Sequence, residues 1–252
     1  VLTRRVIACL DTVDGRVVKG VRFAALRDAG DPVARALLYE QNGADEIVLL
    51  DVSATPEGRG HALETVRAVR AGLSIPLTVG GGVRTVADAG ALLEAGADRV
   101  SINTAAVERP AFIGELNERF GAQCTVLALD AARRLDGAGW EVVVRSGRER
   151  TAIDALDWVQ DATRRGAGEV LLTSFDRDGT RAGYDLDLIA SVARAVTVPV
   201  IASGGAATLG HLAEALEAGA DAVLAASIFH DGELTPEDVK AYLAGRGMEV
   251  RR

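Results

Sequence analysis

Two aspartates stand out for the chemistry their positions allow. Asp11 closes the apolar run VIACLD and Asp130 closes CTVLALD, and two carboxylates whose environments separate their pKa values can divide the acid and base roles of proton transfer. Each read alone also fits a residue that starts a turn or caps the next helix. Asp51, Asp176 and Asp178 follow other apolar runs in the same manner. The segments TVGGGV (78–83) and ASGGAA (202–207) carry glycines that let backbone amides approach an oxyanion, and each is followed one run later by a small polar turn, INTA (102–105) and AASI (225–228). One glycine pair fits a plain tight loop equally well, whereas two matched copies point to two phosphate groups at the ends of a long ligand. Lys19 is a marked choice in a chain with 26 arginines and two lysines. It lies in a glycine-flanked loop, where a point-charge ammonium suits phosphate or carboxylate contact. The other lysine, Lys240, falls in the periodic segment PEDVKAYLAG and is expected on a solvated helical face.

The elements that must position these residues follow one pattern. Short β-branched runs at 4–11, 45–52, 76–80, 99–103, 124–130, 169–174, 199–203 and 222–227 read as strands, and between them lie amphipathic segments such as PVARALLYEQNG, TVADAGALLEAG and TLGHLAEALEAG. Several of those segments end in the glycine expected just past a helix. The order is βα eight times over. An internal repeat sharpens it: Pro76 and Pro199 lie 123 residues apart, Gly81-Gly82 matches Gly204-Gly205 at that offset, and LEAGAD at 93–98 recurs at 216–221. A duplicated unit of four βα pairs that closes with its copy gives a (β/α)8 TIM barrel, so residues 1–252 are expected to form one barrel of two half-barrels, about 1–123 and 124–252. Residues 131–151 interrupt the pattern with LDGAGWEVVV, read as a small hairpin around Gly137 and Gly139.

Active sites of such barrels form at the C-terminal ends of the strands, which sets Asp11 and Asp130 at opposed points of one rim. Strand alternation puts Arg5, Ile7, Cys9 and Asp11 on one face, so an inward Asp11 implies an inward Arg5 at the other end of the barrel. The same counting directs Arg99 and Glu169 inward, and Glu46 is another acid at a strand start. These four form either a functional charged floor or a satisfied ion-pair plug.

Composition narrows the partners. A chain of 252 residues, 48% hydrophobic, buries a substantial core, and a net charge of −8 argues against general affinity for nucleic acid. No run of about 20 apolar residues is present, and Asp11 arrives too early for a secretory leader, so neither membrane insertion nor export is expected. Cys9 and Cys124 read as small hydrophobes in a reducing cytosol, and His61, His211 and His230 lack metal-ligand spacing. No metal or cofactor is expected.

The motifs IACLD (7–11), DGRVVKG (14–20), LRDAGDPV (26–33), TVGGGVR (78–84), RVSINTAAVE (99–108), GAGEVLLTSFDRDGT (166–180), IASGGA (201–206) and LAASIFH (224–230) span nearly the whole chain. Together they make it closely resemble the cyclase-subunit family of imidazole glycerol phosphate synthase, an enzyme of histidine biosynthesis. The resemblance implies a barrel that takes ammonia from a glutaminase subunit docked on its N-terminal face. It would combine that ammonia with a bis-phosphate substrate, an aminoimidazole carboxamide ribonucleotide bearing a ribulosyl phosphate arm. On the matching positions, Asp11 and Asp130 would be the catalytic pair and Lys19 the loop residue that covers the substrate. Asp51, Asn103, Thr173, Asp178 and Ser203 would line the mouth. Gly82, Asn103 and Thr104 would hold one phosphate, and Gly179, Gly205, Ala226 and Ser227 the other. Arg5, Glu46, Arg99 and Glu169 would gate the ammonia, with Arg99 standing where some relatives carry lysine. Two alternatives remain at this level: the sister isomerase of the same pathway, also a half-duplicated barrel, and a phosphate-binding barrel without catalysis.

Overall fold

The computed structural model describes residues 3–21, 24–54 and 63–251, the side chains of 19–21 and 24–26 excepted. Among them, eight parallel strands close on themselves: β1 (Arg5–Val13), β4 (Glu46–Asp51), β5 (Leu77–Gly80), β6 (Arg99–Ile102), β7 (Thr125–Arg133), β10 (Glu169–Ser174), β11 (Val200–Ser203) and β12 (Ala222–Ala225). β1 lies between β12 and β4, and the pairing of β10 with β7 completes the ring. This is the expected (β/α)8 barrel, with helices between the strands.

Two departures from the expected strand ends matter for the site. β1 and β7 do not stop at Asp11 and Asp130. They run on to Val13 and Arg133, because Thr12 and Val13 pair antiparallel with β2 (Arg16–Val21), and Ala131 to Arg133 pair antiparallel with β8 (Trp140–Val144). β2 pairs in turn with β3 (Ala24–Gly30), and β8 with β9 (Glu149–Asp154). Lys19 therefore lies in a strand, opposite Arg27, and not in an open loop; its side chain is outside the described residues, as is His61.

The helices begin where the sequence supplies a cap. Asp31 caps α1 (Pro32–Gln41), with Pro32 in the first turn where its missing N–H is harmless. α2 spans Leu63–Gly72. Thr85 and Asp88 form a reciprocal capping box on α3 (Val86–Glu94). After β6 the segment 104–120 divides into a short α4 (Thr104–Glu108) and α5 (Ala111–Phe120). The second half adds α6 (Ala155–Arg164), α7 (Leu186–Ala195), α8 (Leu209–Glu217), the four-residue α9 (Ser227–His230) and α10 (Pro236–Gly245).

At the bottom of the barrel a Gly-Ala-Asp triplet appears three times, each with its own division of labour. The glycine, at φ +86, +109 and +117 for Gly43, Gly96 and Gly219, takes the left-handed conformation that ends the preceding helix. The alanine is buried. The aspartate reaches sideways to the neighbouring strand: Asp45 Oδ2 accepts from Val6 N at 2.8 Å, Asp98 Oδ2 from Leu77 N at 2.8 Å, and Asp221 Oδ2 from Val200 N at 3.0 Å. Each pair fixes the register of two adjacent strands. Where the triplet recurs as Gly166-Ala167-Gly168, a Cβ at Gly168 would fall 2.2 Å from the carbonyl oxygen of Ala122, so no side chain fits and the clamp is absent.

Lys240 corrects one expectation. It is not on a solvated face: its ammonium pairs with Asp45 Oδ1 at 2.6 Å, and the two side chains are 15% and 2% exposed. α10 is thereby tied to the turn that feeds β4. Asp45→Ala would leave both the Lys240 ammonium and the Val6 N–H unpaired, an expected loss of about 3 kcal/mol. Asp221→Ala, whose carboxylate is a third exposed, is expected to cost about 1 kcal/mol. Urea midpoints at unchanged m-value test the ranking.

Candidate active site

Alternation within a closed barrel decides what faces the interior. From the bottom upward the inward residues form a charged layer, then an apolar layer of Ile7, Cys9, Val48, Val126, Leu171, Ile201, Ala222 and Leu224, then a polar mouth. Two cavities open at that mouth. The larger, about 300 Å³, belongs to the first half and is lined by Asp51, Gly81, Gly82, Asn103 and Thr104, together with Asp130 and Thr173. The smaller, about 70 Å³, is lined by Asp11, Asp178, Gly179 and Ser203, and beyond them by Gly205, Ala226 and Ser227. Leu50, Leu171 and Thr173 line both, so the cavities meet across the barrel axis. Of the mouth residues named from the sequence whose side chains are described, all line one cavity or the other except Asp176, whose Oδ2 accepts from Arg133 N at 2.7 Å.

The glycine turns have a steric requirement. Gly81 and Gly82 sit at φ +97 and +71, and Gly204 and Gly205 at φ +93 and +100. A Cβ on Gly81 would meet the Asp51 carbonyl oxygen at 2.1 Å, and one on Gly205 the Gly183 oxygen at 2.3 Å. Both turns press their backbone against a neighbouring loop, which holds them at the cavity walls.

Asp130 is a strongly perturbed acid of the mouth. Burial raises its pKa first, the charge of Asp178 adds to that, and Asp11 contributes further; hydrogen bonds from Asn103 and Thr173 oppose them, and the outcome is about 7. Such a carboxyl is divided between acid and base near neutrality. Asp11 has a different neighbour, the Cys9 thiol, which donates to its Oδ1 at 3.5 Å. Burial, followed by the charge of Asp11, pushes the Cys9 thiol far above its ordinary pKa, so it stays a neutral donor.

Sequence reading missed the contribution of β8 and β9. Val143, paired with Asp130 in the ladder, accepts from Asn103 Nδ2 at 3.2 Å. Arg145 and Ser146, in the turn that follows, line the larger cavity. Arg145 N donates to Thr104 Oγ1 at 3.0 Å, and Ser146 Oγ to the Val52 carbonyl at 3.0 Å. The hairpin thus forms part of the site wall. The available signal was the triplet Arg145-Ser146-Gly147 directly after a run that leaves the rim of the barrel.

At the opposite end Arg5, Glu46, Arg99 and Glu169 meet in one cluster, each the first residue of its strand. Arg5 pairs with Glu46 at 3.1 Å and with Glu169, while Arg99 lies 2.7 Å from Glu46 and 3.6 Å from Glu169. Thr78 Oγ1 donates to Glu46 Oε1 at 2.6 Å. The glutamates are almost wholly buried, while the arginines are about a quarter exposed on the N-terminal face.

Comparison with known proteins gives this arrangement a lineage. The profile of a family described as "Histidine biosynthesis protein" matches residues 5–235. The chain belongs to this family. Among its relatives, imidazole glycerol phosphate synthase subunit HisF of Mycobacteroides abscessus is 56% identical over 252 residues, 98% of each chain. The subunit of the same name from Metallosphaera sedula is 57% identical over 250 residues, 99% of each. Among the described residues no helix is long and apolar enough to cross a membrane.

The raised pKa of Asp130 has a consequence for stability. The folded chain keeps the Asp130 proton up to about pH 7, whereas the unfolded chain releases it near pH 4. The native state then binds more protons, and stability falls as pH rises. The contribution of Asp130 is complete below about pH 4 and lost above about pH 7. Asn does not titrate, so Asp130→Asn is expected to gain stability relative to the parent between about pH 5 and about pH 8. Urea unfolding of both proteins at the two pH values measures it.

Proposed function

We propose that this chain is the cyclase subunit of imidazole glycerol phosphate synthase, a cytoplasmic lyase whose residues 1–252 form a single barrel. In this reading it joins ammonia to the ribulosyl-phosphate aminoimidazole carboxamide ribonucleotide and releases imidazole glycerol phosphate and aminoimidazole carboxamide ribonucleotide. One observation carries it: two glycine-turn cavities meet at Thr173, with Asp130 in the first and Asp11 in the second. A substrate with a phosphate at each end would lay its reacting middle across that junction, between the carboxylates. The names of the relatives support the synthase subunit over the sister isomerase.

The chemistry asks for proton transfers and no redox step. Ammonia adds to the carbonyl of the ribulosyl arm, water leaves, and cleavage of a C–N bond accompanies ring closure. Asp130, with a pKa of about 7, suits donation of a proton to a departing oxygen or nitrogen, and Asp11 suits its removal from the attacking nitrogen. Gly82, Asn103 and Thr104 would hold one phosphate, and Gly179, Gly205, Ala226 and Ser227 the other, with Asp51, Asp178 and Ser203 orienting the arm between them. Lys19 would cover the bound substrate.

Ammonia reacts only as the unprotonated base, which favours delivery through the barrel over capture from water. The cluster of Arg5, Glu46, Arg99 and Glu169 would admit it from a glutaminase subunit docked on the N-terminal face. Polarity above that cluster is one-sided. Thr78 and Ser101 are buried in the first half, where the repeat places Ile201 and Leu224 in the second. They mark a polar track from Arg99 to Asn103. Arg99 keeps the cationic charge that lysine provides in some relatives, with a larger, planar head group.

Two measurements test the reading. Asp11→Asn and Asp130→Asn should each lower ammonium-dependent turnover by about 10²-fold while bis-phosphate binding persists; near-native turnover in either would refute that residue's role. Arg99→Ala should lower glutamine-dependent turnover, or raise the glutamate released per product, far more than it lowers turnover with added ammonium salt. Equal losses with both nitrogen sources would identify the cluster as a structural plug.

A further inference from the structure

Asn103 is tied to Asp130 by a geometry that the phosphate-binding role does not require. Its Nδ2 sits 3.0 Å from Asp130 Oδ2 and 3.2 Å from the Val143 carbonyl oxygen. A primary amide has two N–H donors on that nitrogen, and both have a partner. The orientation is also determined. The Val143 carbonyl only accepts, so the nitrogen must face it, and turning the amide over would set two oxygens against each other. Oδ1 consequently points away from both. It is buried, finds no hydrogen-bond partner among the described residues, and belongs to a side chain on the wall of the larger cavity. A buried amide oxygen left in this condition has lost its water without compensation, a loss that a donor on a ligand would recover.

The partner that fixes the amide comes from outside the barrel pattern. Val143 lies in β8 and pairs with Asp130 across the antiparallel ladder. The strand inserted after β7 thus contributes a carbonyl at the level of the acid. The same insertion closes over the cavity, since Arg145 N holds Thr104 Oγ1, next in sequence to Asn103.

We propose that Asn103 is the positioning residue of Asp130 and, through Oδ1, the acceptor for an N–H or O–H group of the ligand in the larger cavity. This rests on the reading of the mouth as a cyclase site and adds to it a division of labour within one amide. Its nitrogen steadies the ionised form of Asp130, and its oxygen reads the ligand. The hydrogen bond from Asn103 is one of two that lower the Asp130 pKa against burial and the charges of Asp178 and Asp11. The other charged groups around that cavity are Asp51, Arg84, Glu108 and Arg145.

The test uses the full chain with Asn103→Ala and Asn103→Asp, and two readouts. The first is the titration of the Asp130 carboxyl in the resting protein, followed by carbon-13 NMR of labelled aspartate, which needs no substrate and no activity. Its midpoint is expected to move up by about one unit in Asn103→Ala, and further in Asn103→Asp, where a second carboxylate faces Asp130. The second readout is KM and kcat with ammonium salt as a function of pH. The Asp130 limb should shift in the same order, while KM should rise about tenfold or more in Asn103→Ala and less in Asn103→Asp, which keeps an acceptor oxygen. The two orders are opposite, and a merely structural role would move both quantities together. An unmoved midpoint in both variants would overturn the positioning role, and an unchanged KM in Asn103→Ala would overturn the acceptor role. If the parent chain lacked ammonia-dependent turnover while the resting midpoint still moved, the cyclase reading would fail and the positioning role would stand.

Discussion

Closure of the parallel sheet is the constraint from which the rest of the molecule follows. Once β10 pairs with β7 and β12 with β1, no strand keeps a free parallel edge within the ring, and every side chain on a strand faces either the helices or the axis. Side-chain alternation then makes a one-residue slip intolerable, because it would turn Arg5, Glu46, Arg99 and Glu169 toward the helices and the outer core toward the axis. The Gly-Ala-Asp clamps act against that slip at the points where β4, β6 and β12 enter. Their aspartates bond across to the adjacent strand, so register is set at the bottom of the barrel and propagates to the mouth.

Charge is handled differently at the two ends. At the bottom, arginines and glutamates face one another at ion-pair distance, with Glu46 almost wholly buried and further bonded to Thr78. Desolvation there is offset by opposite charges and by a partial opening of the arginines to water. At the mouth Asp130 is buried, faces the charges of Asp178 and Asp11 and is hydrogen-bonded by Asn103 and Thr173, so burial, with like charge beside it, moves its protonation equilibrium toward neutrality. Between them the apolar layer around Leu171 and Leu224 keeps the two electrostatic environments apart.

Duplication built the frame, and departures from it specialise the halves. Glu46 and Glu169 are related by the repeat offset, as are the two glycine turns, whereas Arg99 answers to Ala222, Thr78 to Ile201 and Ser101 to Leu224. At these positions the interior of the first half is polar and that of the second apolar. The insertion after β7 adds to that asymmetry. It belongs to the second half, yet its residues reach Asn103, Thr104 and Val52 of the first. A cavity of about 300 Å³ on one side and about 70 Å³ on the other is the result.

Local pattern alone determines much of this protein. β-branched runs, capping residues and the 123-residue offset specify eight βα units, and alternation along the runs already directs Arg5, Arg99 and Glu169 inward beneath Asp11 and Asp130, with Glu46 another acid at a strand start. Both signals arise within a few residues of chain, where steric preference and burial period act directly. Contacts made across the fold are of another kind. Nothing near Lys240 in sequence announces Asp45, which is 195 positions away. The hairpin after Asp130 is legible in LDGAGWEVVV, but nothing there announces that the strand of Asp130 runs straight into it, or that Val143 will turn the Asn103 amide toward the acid. The pKa of Asp130 belongs to the same class, because desolvation is the summed effect of atoms brought together only when the barrel closes. Sequence determined which residues could meet at the rim; the closed sheet, by excluding water and fixing each partner's direction, decided what they do to one another.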